Sequence, residues 1–187
     1  MPHTVDDALA RYTGLSMISA KKIIEDEWGP LPSGFDEEFR ARNRVSFEQD
    51  LAPISGAPET LAMIQVAKCV ASSGQMARVR YSLELTGLLD HFGRSVFSAN
   101  QVSNGKPAPD LFLYAAEQMN FPARNTLVIE DSPAGIQAGV AAGMTVVGFM
   151  GGSHIGPGHD DVLRGHGAHH ILDHMSGLTD LVAGLQT

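Results

Sequence analysis

The sequence has a single cysteine, Cys69, in 187 residues. An intramolecular disulfide is thereby excluded, and a reducing compartment is the expectation. Positive charge is also scarce. Lys and Arg number 13 against 21 Asp and Glu, a net charge of −8. Docking on nucleic acid or on an anionic membrane needs clustered basic residues, so neither partner is expected. That balance does not oppose a small anionic substrate held through a metal. No run of about 18 apolar residues occurs, so no membrane-spanning helix is expected. The start, from Met1 to Asp7, lacks the charged-then-apolar pattern of a secretory signal. The cytoplasm is the expected location.

The length suits one domain with a small appendage. Residues 1–50 read as helices. Thr4 is placed to cap a first helix with Asp7 at the capping-box position, and Ser16 to cap a second. Pro30 and Pro32 end that pattern. Ser33 then opens a longer, strongly charged helix to about residue 50, with a sparse apolar face of Phe35, Phe39 and Phe47. The stretch from Pro53 to Pro58 reads as a boundary.

Beyond it the pattern alternates. Helices are predicted at 56–64, 75–85, 108–119, 133–142 and from about 176. Strands are predicted at 66–72, 95–99, 126–130, 145–149 and 170–172. Residues 150–158 read as a Gly/His-rich loop. Short β-branched runs between helices predict a parallel sheet covered on both faces. The expected fold is α/β and Rossmann-like, with a core over 51–187 and a partial helical cap over 1–50.

Three motifs fall at the carboxyl ends of predicted strands, where doubly wound sheets bind ligands. Ser72 and Ser73 close the first strand. Lys106 sits in the loop Asn104-Gly105-Lys106-Pro107-Ala108-Pro109-Asp110. Glu130 and Asp131 close the third strand. Adjacent carboxylates suit Mg²⁺, a hard ion that prefers oxygen and keeps water and phosphate in its shell. Ser72 and Ser73 at a helix start offer donors to a phosphate oxygen. Lys106 offers a fixed positive charge to a phosphoryl group in transfer. Taken singly, each has a plainer reading. Ser72 and Ser73 are a helix cap, Lys106 a turn lysine, and Glu130-Asp131-Ser132 the cap of helix 133–142. Their common placement at one sheet edge favours the joint reading.

On these residues the chain resembles the haloacid dehalogenase-like hydrolases, in the branch of phosphoglucomutases and sugar phosphatases with a small helical cap. Ser72 matches that family's second motif and Lys106 its third. The run from Glu130 to Gly139, on to Ala142-Gly143-Met144, matches the fourth. The resemblance implies a Mg²⁺-dependent phosphatase of a small phosphorylated metabolite, such as a sugar phosphate. In that reading Lys106 and Ser72 serve catalysis, Ser72, Ser73 and Lys106 hold phosphate, and Glu130 and Asp131 hold the metal. It also puts a cap loop that touches substrate at Thr13-Gly14-Leu15-Ser16, against a plainer reading as a turn and helix cap. Two alternatives stand beside it, a catalytically dead phosphate-binding or regulatory module and a mutase-type phosphotransferase.

The family's first motif, an apolar strand followed by Asp-x-Asp-Gly, does not occur. In the family its first Asp is the nucleophile and its second the general acid/base. Asp6-Asp7, Glu25-Asp26-Glu27 and Asp160-Asp161 lack the preceding strand and do not replace it. The chain therefore reads as a member lacking its first strand and the start of its cap, and inactive in this form. The missing strand would lie between those carrying Ser72 and Asp131. Its loss costs on the order of 10 kcal/mol in hydrogen bonds and buried aliphatics. Residues outside this sequence, a rearranged sheet or a partner chain would have to make that good, and an oligomer is expected only in the last case. Smaller signals are Arg42 and Arg44, as anion contacts or a solvated helix face. Six histidines, His154, His159, His166, His169, His170 and His174, raise a structural zinc site against a flexible loop.

Overall fold

The computed structural model describes residues 4–12 and 14–185. Strands β1 (Val70–Ser72) and β2 (Val96–Ser98) pair in parallel, with Ser72 opposite Ser98. Strands β3 (Leu127–Glu130), β4 (Thr145–Phe149) and β5 (His170–Leu172) form a second parallel sheet in that order. Helices α1 (Val5–Tyr12), α2 (Met17–Trp28) and α3 (Phe35–Asp50) precede both sheets. Helix α4 (Ala57–Met63) also comes before β1, and α5 (Met76–Leu85), α6 (Asp110–Gln118), α7 (Pro133–Ala141), α8 (His159–Gly165) and α9 (Leu178–Leu185) follow between and after the strands.

The alternation of β4 explains the layers. Val146 points to one face and joins Val128, Ile136, Phe112 and Leu163 beneath α6, α7 and α8. Val147 and Phe149 point to the other and join Ile64, Leu172 and Leu178 beneath α4 and α9. A glycine makes the first layer tight. A Cβ on Gly139 would lie 2.7 Å from Val146 Cγ2, so its absence lets α7 settle on β4. A third cluster, Phe97, Leu111 and Ala115, ties β2 to α6.

The two sheets share no backbone ladder, and among the described residues no strand lies between β1 and β3. Ala71 bridges them by packing, since it touches both the Val128 cluster and the Phe97 cluster.

The N-terminal caps form as expected. Asp7 N–H donates to Thr4 Oγ1 at 3.1 Å and Thr4 N–H to Asp7 Oδ2 at 3.0 Å. Ser19 N–H donates to Ser16 Oγ at 3.0 Å. Helices α2 and α3 contain no fully buried residue. Lys21 and Asp36 join them at 2.8 Å, while Tyr81 Oη on α5 donates to Glu48 Oε1 on α3 at 2.6 Å.

Three boundaries differ from expectation. The strand predicted at 66–72 is ordered as a ladder only from Val70, where β2 begins to run beside it. Helix α3 starts after Gly34, whose φ of +85° makes the turn that Ser33 was expected to make. Helix α8 was not anticipated. Gly158 at φ +80° opens it, Asp160 and Asp161 face its N-terminal dipole, and Arg164 its C-terminal end. No described helix is long and apolar enough to cross a membrane.

Candidate functional site

Lys106 lies between the two sheets. Its side chain is 5% exposed, and Nζ donates to the Ala71 carbonyl of β1 at 3.2 Å and to Glu130 Oε1 at the end of β3. The ammonium also lies 4.6 Å from the centre of the Phe112 ring. One cation thus spans the carboxyl ends of β1 and β3.

The adjacent carboxylates at the end of β3 turn to different surroundings. Glu130 faces inward with its side chain 11% exposed. Besides Lys106 it accepts a hydrogen bond from Ser132 Oγ at 3.0 Å, while Ser132 Oγ accepts from Gly135 N–H at 3.1 Å and so caps α7. The cap reading and the site reading of Glu130-Asp131-Ser132 are therefore compatible. Asp131 faces outward, 40% exposed, with Oδ2 3.5 Å from His154 Nε2. His159 Nε2 contacts the Asp131 carbonyl at 2.7 Å. A cavity of about 230 Å³ opens beside Glu130 and Asp131.

At the end of β1, Ser72 Oγ accepts from Gly74 N–H at 3.1 Å. The buried Ser98 Oγ, at the end of β2, donates to the Gly74 carbonyl at 2.6 Å and fixes this turn. Ser73 Oγ donates to the Gly14 carbonyl at 2.8 Å. Gly14 has φ +84°, and a Cβ there would lie 2.3 Å from Ser132 Oγ. Ser16, buried at 9% exposure, is the nearest side chain to Gly105. The loop at 14–16 therefore touches the segments of all three motifs. Thr13 lies outside the described residues.

Ser72, Ser73, Lys106, Glu130, Gly14 and Ser16 thus converge, with Asp131 at the rim. Sequence reasoning missed three supports. Ser98 holds the turn after Ser72, and Gly135 gives Glu130 its room. His154, within the stretch read as a Gly/His-rich loop, and His159, at the start of α8, meet Asp131. Gly135 had a signal in the glycine-rich start of α7. The histidines had only their place after β4, on the same sheet edge. His169 Nδ1 accepts from Val146 N–H at 2.9 Å, and His174 Nδ1 from Ser176 N–H at 3.3 Å, both backbone-supporting roles. No cluster of three or more His, Cys, Asp or Glu suited to a metal occurs among the described residues. Arg42 pairs with Glu38 on an exposed helix face at 2.6 Å.

Gly135 provides a local test. A Cβ there would lie 2.0 Å from Glu130 Oε2. Ordinarily Gly→Ala in a helix gains about 0.5–1 kcal/mol. Here overpacking, at about 1–3 kcal/mol, opposes that gain. Gly135→Ala is expected to lower the melting temperature, and a rise in thermal denaturation would show that Glu130 is not held in place.

The donor set suits a hard cation in part. Asp131 borders a cavity with room for water and phosphate oxygens, as Mg²⁺ prefers, whereas both oxygens of Glu130 are already engaged by Lys106 and Ser132.

Comparison with known proteins agrees with this geometry. Residues 2–149 match the family model described as haloacid dehalogenase-like hydrolase. The 6-phosphogluconate phosphatase of Escherichia coli (strain K12) is 30% identical over 154 residues, 81% of this chain and 70% of that protein. A haloacid dehalogenase-like protein of unknown function from Agrobacterium tumefaciens str. C58 superposes with a TM-score of 0.82 at 29% identity, over 100% of this chain and 85% of that one. A HAD family hydrolase from Deinococcus radiodurans R1, solved with bound phosphate and sodium, gives 0.76 at 26% identity, over 100% and 83%.

Proposed function

This chain belongs to the haloacid dehalogenase-like hydrolases, in their sugar-phosphatase-like branch, and from that premise we propose that its site binds the phosphoryl end of a sugar phosphate for Mg²⁺-dependent hydrolysis. The observation that carries the reading is the position of Lys106, held between the ends of β1 and β3 by the Ala71 carbonyl, next to Ser72, on one side and the Glu130 carboxylate on the other. Lys106 and Ser72 would hold the phosphoryl oxygens, with Ser73 positioning the loop at 14–16. Glu130 fixes the lysine, and Asp131 with Glu130 would hold the ion. Bound Mg²⁺ would supply charge neutralisation at the phosphoryl group, which lowers its repulsion of an anionic nucleophile. The helices α1 to α3 would act as the cap over this site. The Deinococcus relative was solved with bound phosphate, which supports a phosphate ligand for a chain of this fold.

The attacking group in such a hydrolase is an Asp that forms an aspartyl-phosphate. The sequence has no Asp-x-Asp-Gly to supply it. That absence favours a second reading, a phosphate-binding module without turnover. Two forms separate the readings: this chain, and one extended at its N-terminus by an apolar strand ending in Asp-x-Asp-Gly. The extended form is expected to hydrolyse sugar phosphates with Mg²⁺ and to lose that activity in Asp131→Asn. If it binds Mg²⁺ and phosphate but turns over nothing, the phosphatase reading fails and the binding module stands.

A further inference from the structure

A cavity of about 880 Å³ opens between α2, α3 and the start of α5, with Ser73 and Gly74 in its wall. Its charges are unlike those of the rest of the chain. Five cations line it against three carboxylates, in a protein of net charge −8. Most of these cations are neutralised locally. Lys21 pairs with Asp36, Lys22 with Asp26 and Arg44 with Glu48. Arg40 and Arg78 have no carboxylate partner among the described residues. Arg40 only donates Nε to the Asp36 carbonyl at 3.0 Å. Glu25 is the one lining carboxylate without a cation, and its Oε1 accepts from Leu31 N–H at 3.4 Å.

Arg78 also stands beside the phosphate end. A Cβ on Gly74 would lie 2.8 Å from Arg78 Nη2 and 3.3 Å from Ser72 Oγ. Guanidinium and hydroxyl therefore converge on one small volume, open because residue 74 has no side chain. A ligand whose phosphate reached Ser72 would pass Ser73 and Gly74 in the wall of this cavity, which Arg78 on α5 and Arg40 on α3 also line. Their planar forks match a carboxylate.

We propose that the substrate is a phosphorylated hydroxy acid, whose carboxylate is bound by Arg78 and Arg40 in the α2–α3–α5 cavity. The inference rests on the phosphate reading of Ser72 and Lys106 and adds the chemistry of the opposite end. It makes Arg78 and Arg40 specificity residues. A neutral sugar phosphate of equal length leaves both guanidinium groups without a partner.

Binding calorimetry on the 187-residue chain tests this without requiring turnover. Two matched pairs differ only in the distal group: 3-phosphoglycerate against glycerol 3-phosphate, and 6-phosphogluconate against glucitol 6-phosphate. The acid of at least one pair is expected to bind about tenfold or more tighter, the difference one charge-assisted hydrogen bond supplies. Arg78→Gln with Arg40→Gln is expected to weaken that acid and close the gap to within about twofold. Equal affinities in both pairs, or a preference that survives the double variant, overturns the proposal. Fructose 1,6-bisphosphate binding tighter than either acid assigns the arginines to a second phosphate and overturns it too. Inorganic phosphate is the separate control. Its binding, lost in Lys106→Met, upholds the phosphate reading even where the acids show no preference. No binding of phosphate or any ester overturns both.

Discussion

Lys106→Met is expected to destabilise the protein by about 3–5 kcal/mol, the cost of removing one partner from a buried ion pair. The side chains of Lys106 and Glu130 are 5% and 11% exposed, so water cannot take over from the missing ammonium. Methionine keeps most of the aliphatic length and loses the ammonium together with its contact over the Phe112 ring, so the change removes the charge with little change of volume. The Glu130 carboxylate would then retain only the Ser132 hydroxyl. At about 2–4 °C per kcal/mol for a chain of this size, the melting temperature should fall by roughly 6–20 °C. Adding Glu130→Gln removes the orphaned charge and keeps an acceptor for Ser132. The double variant should recover most of the loss, because a buried pair replaced as a whole is often near neutral. Neither variant should bind inorganic phosphate. Urea denaturation of both variants checks the cycle, and equal destabilisation of single and double would show that the pair is not what holds β1 to β3.

Much of this arrangement was legible because it rests on local rules. The β-branched runs of β3 and β4, the proline at the start of α7 and the glycine after it set strand, turn and helix without long-range information. Strand ends in an α/β sheet share an edge, so Ser72, Lys106 and Glu130 were brought together by topology alone. What stayed hidden depended on direction. Glu130 and Asp131 are neighbours, and period-two alternation says only that they point apart. That Glu130 turns inward to Lys106 and Asp131 outward to His154 follows from which face α7 covers. Helix α8 was hidden for another reason. It is one short element whose single fully buried side chain is Leu163, too little for a periodic pattern. Arg78 carried no sequence signal, since its meaning comes from α3 across the cavity and from the missing side chain of Gly74. Ser98 likewise matters through the Gly74 carbonyl, 24 residues away in sequence.

The largest expected effect concerns turnover. The purified 187-residue chain should hydrolyse a generic aryl phosphate at or near background, with weak affinity for Mg²⁺. A positioned general acid/base contributes about 10²–10⁴-fold, and no described carboxylate near Ser72 is free to take that role. Glu130 is bound to Lys106 and Ser132, and Asp131 stands at the rim with His154. Without a nucleophilic Asp the covalent route is closed as well. The metal is left with two carboxylates, one of them engaged by a lysine, where Mg²⁺ binding draws strength from each added anionic oxygen. Lys106 faces no nucleophilic carboxylate, so inorganic phosphate should still bind. Phosphate binding without turnover is the signature of this state. The measurement is aryl phosphate hydrolysis with and without Mg²⁺, with Asp131→Asn as control. Robust Mg²⁺-dependent turnover that Asp131→Asn abolishes would mean that this chain carries its own nucleophile. The gap between β1 and β3 would then not be where the missing chemistry belongs.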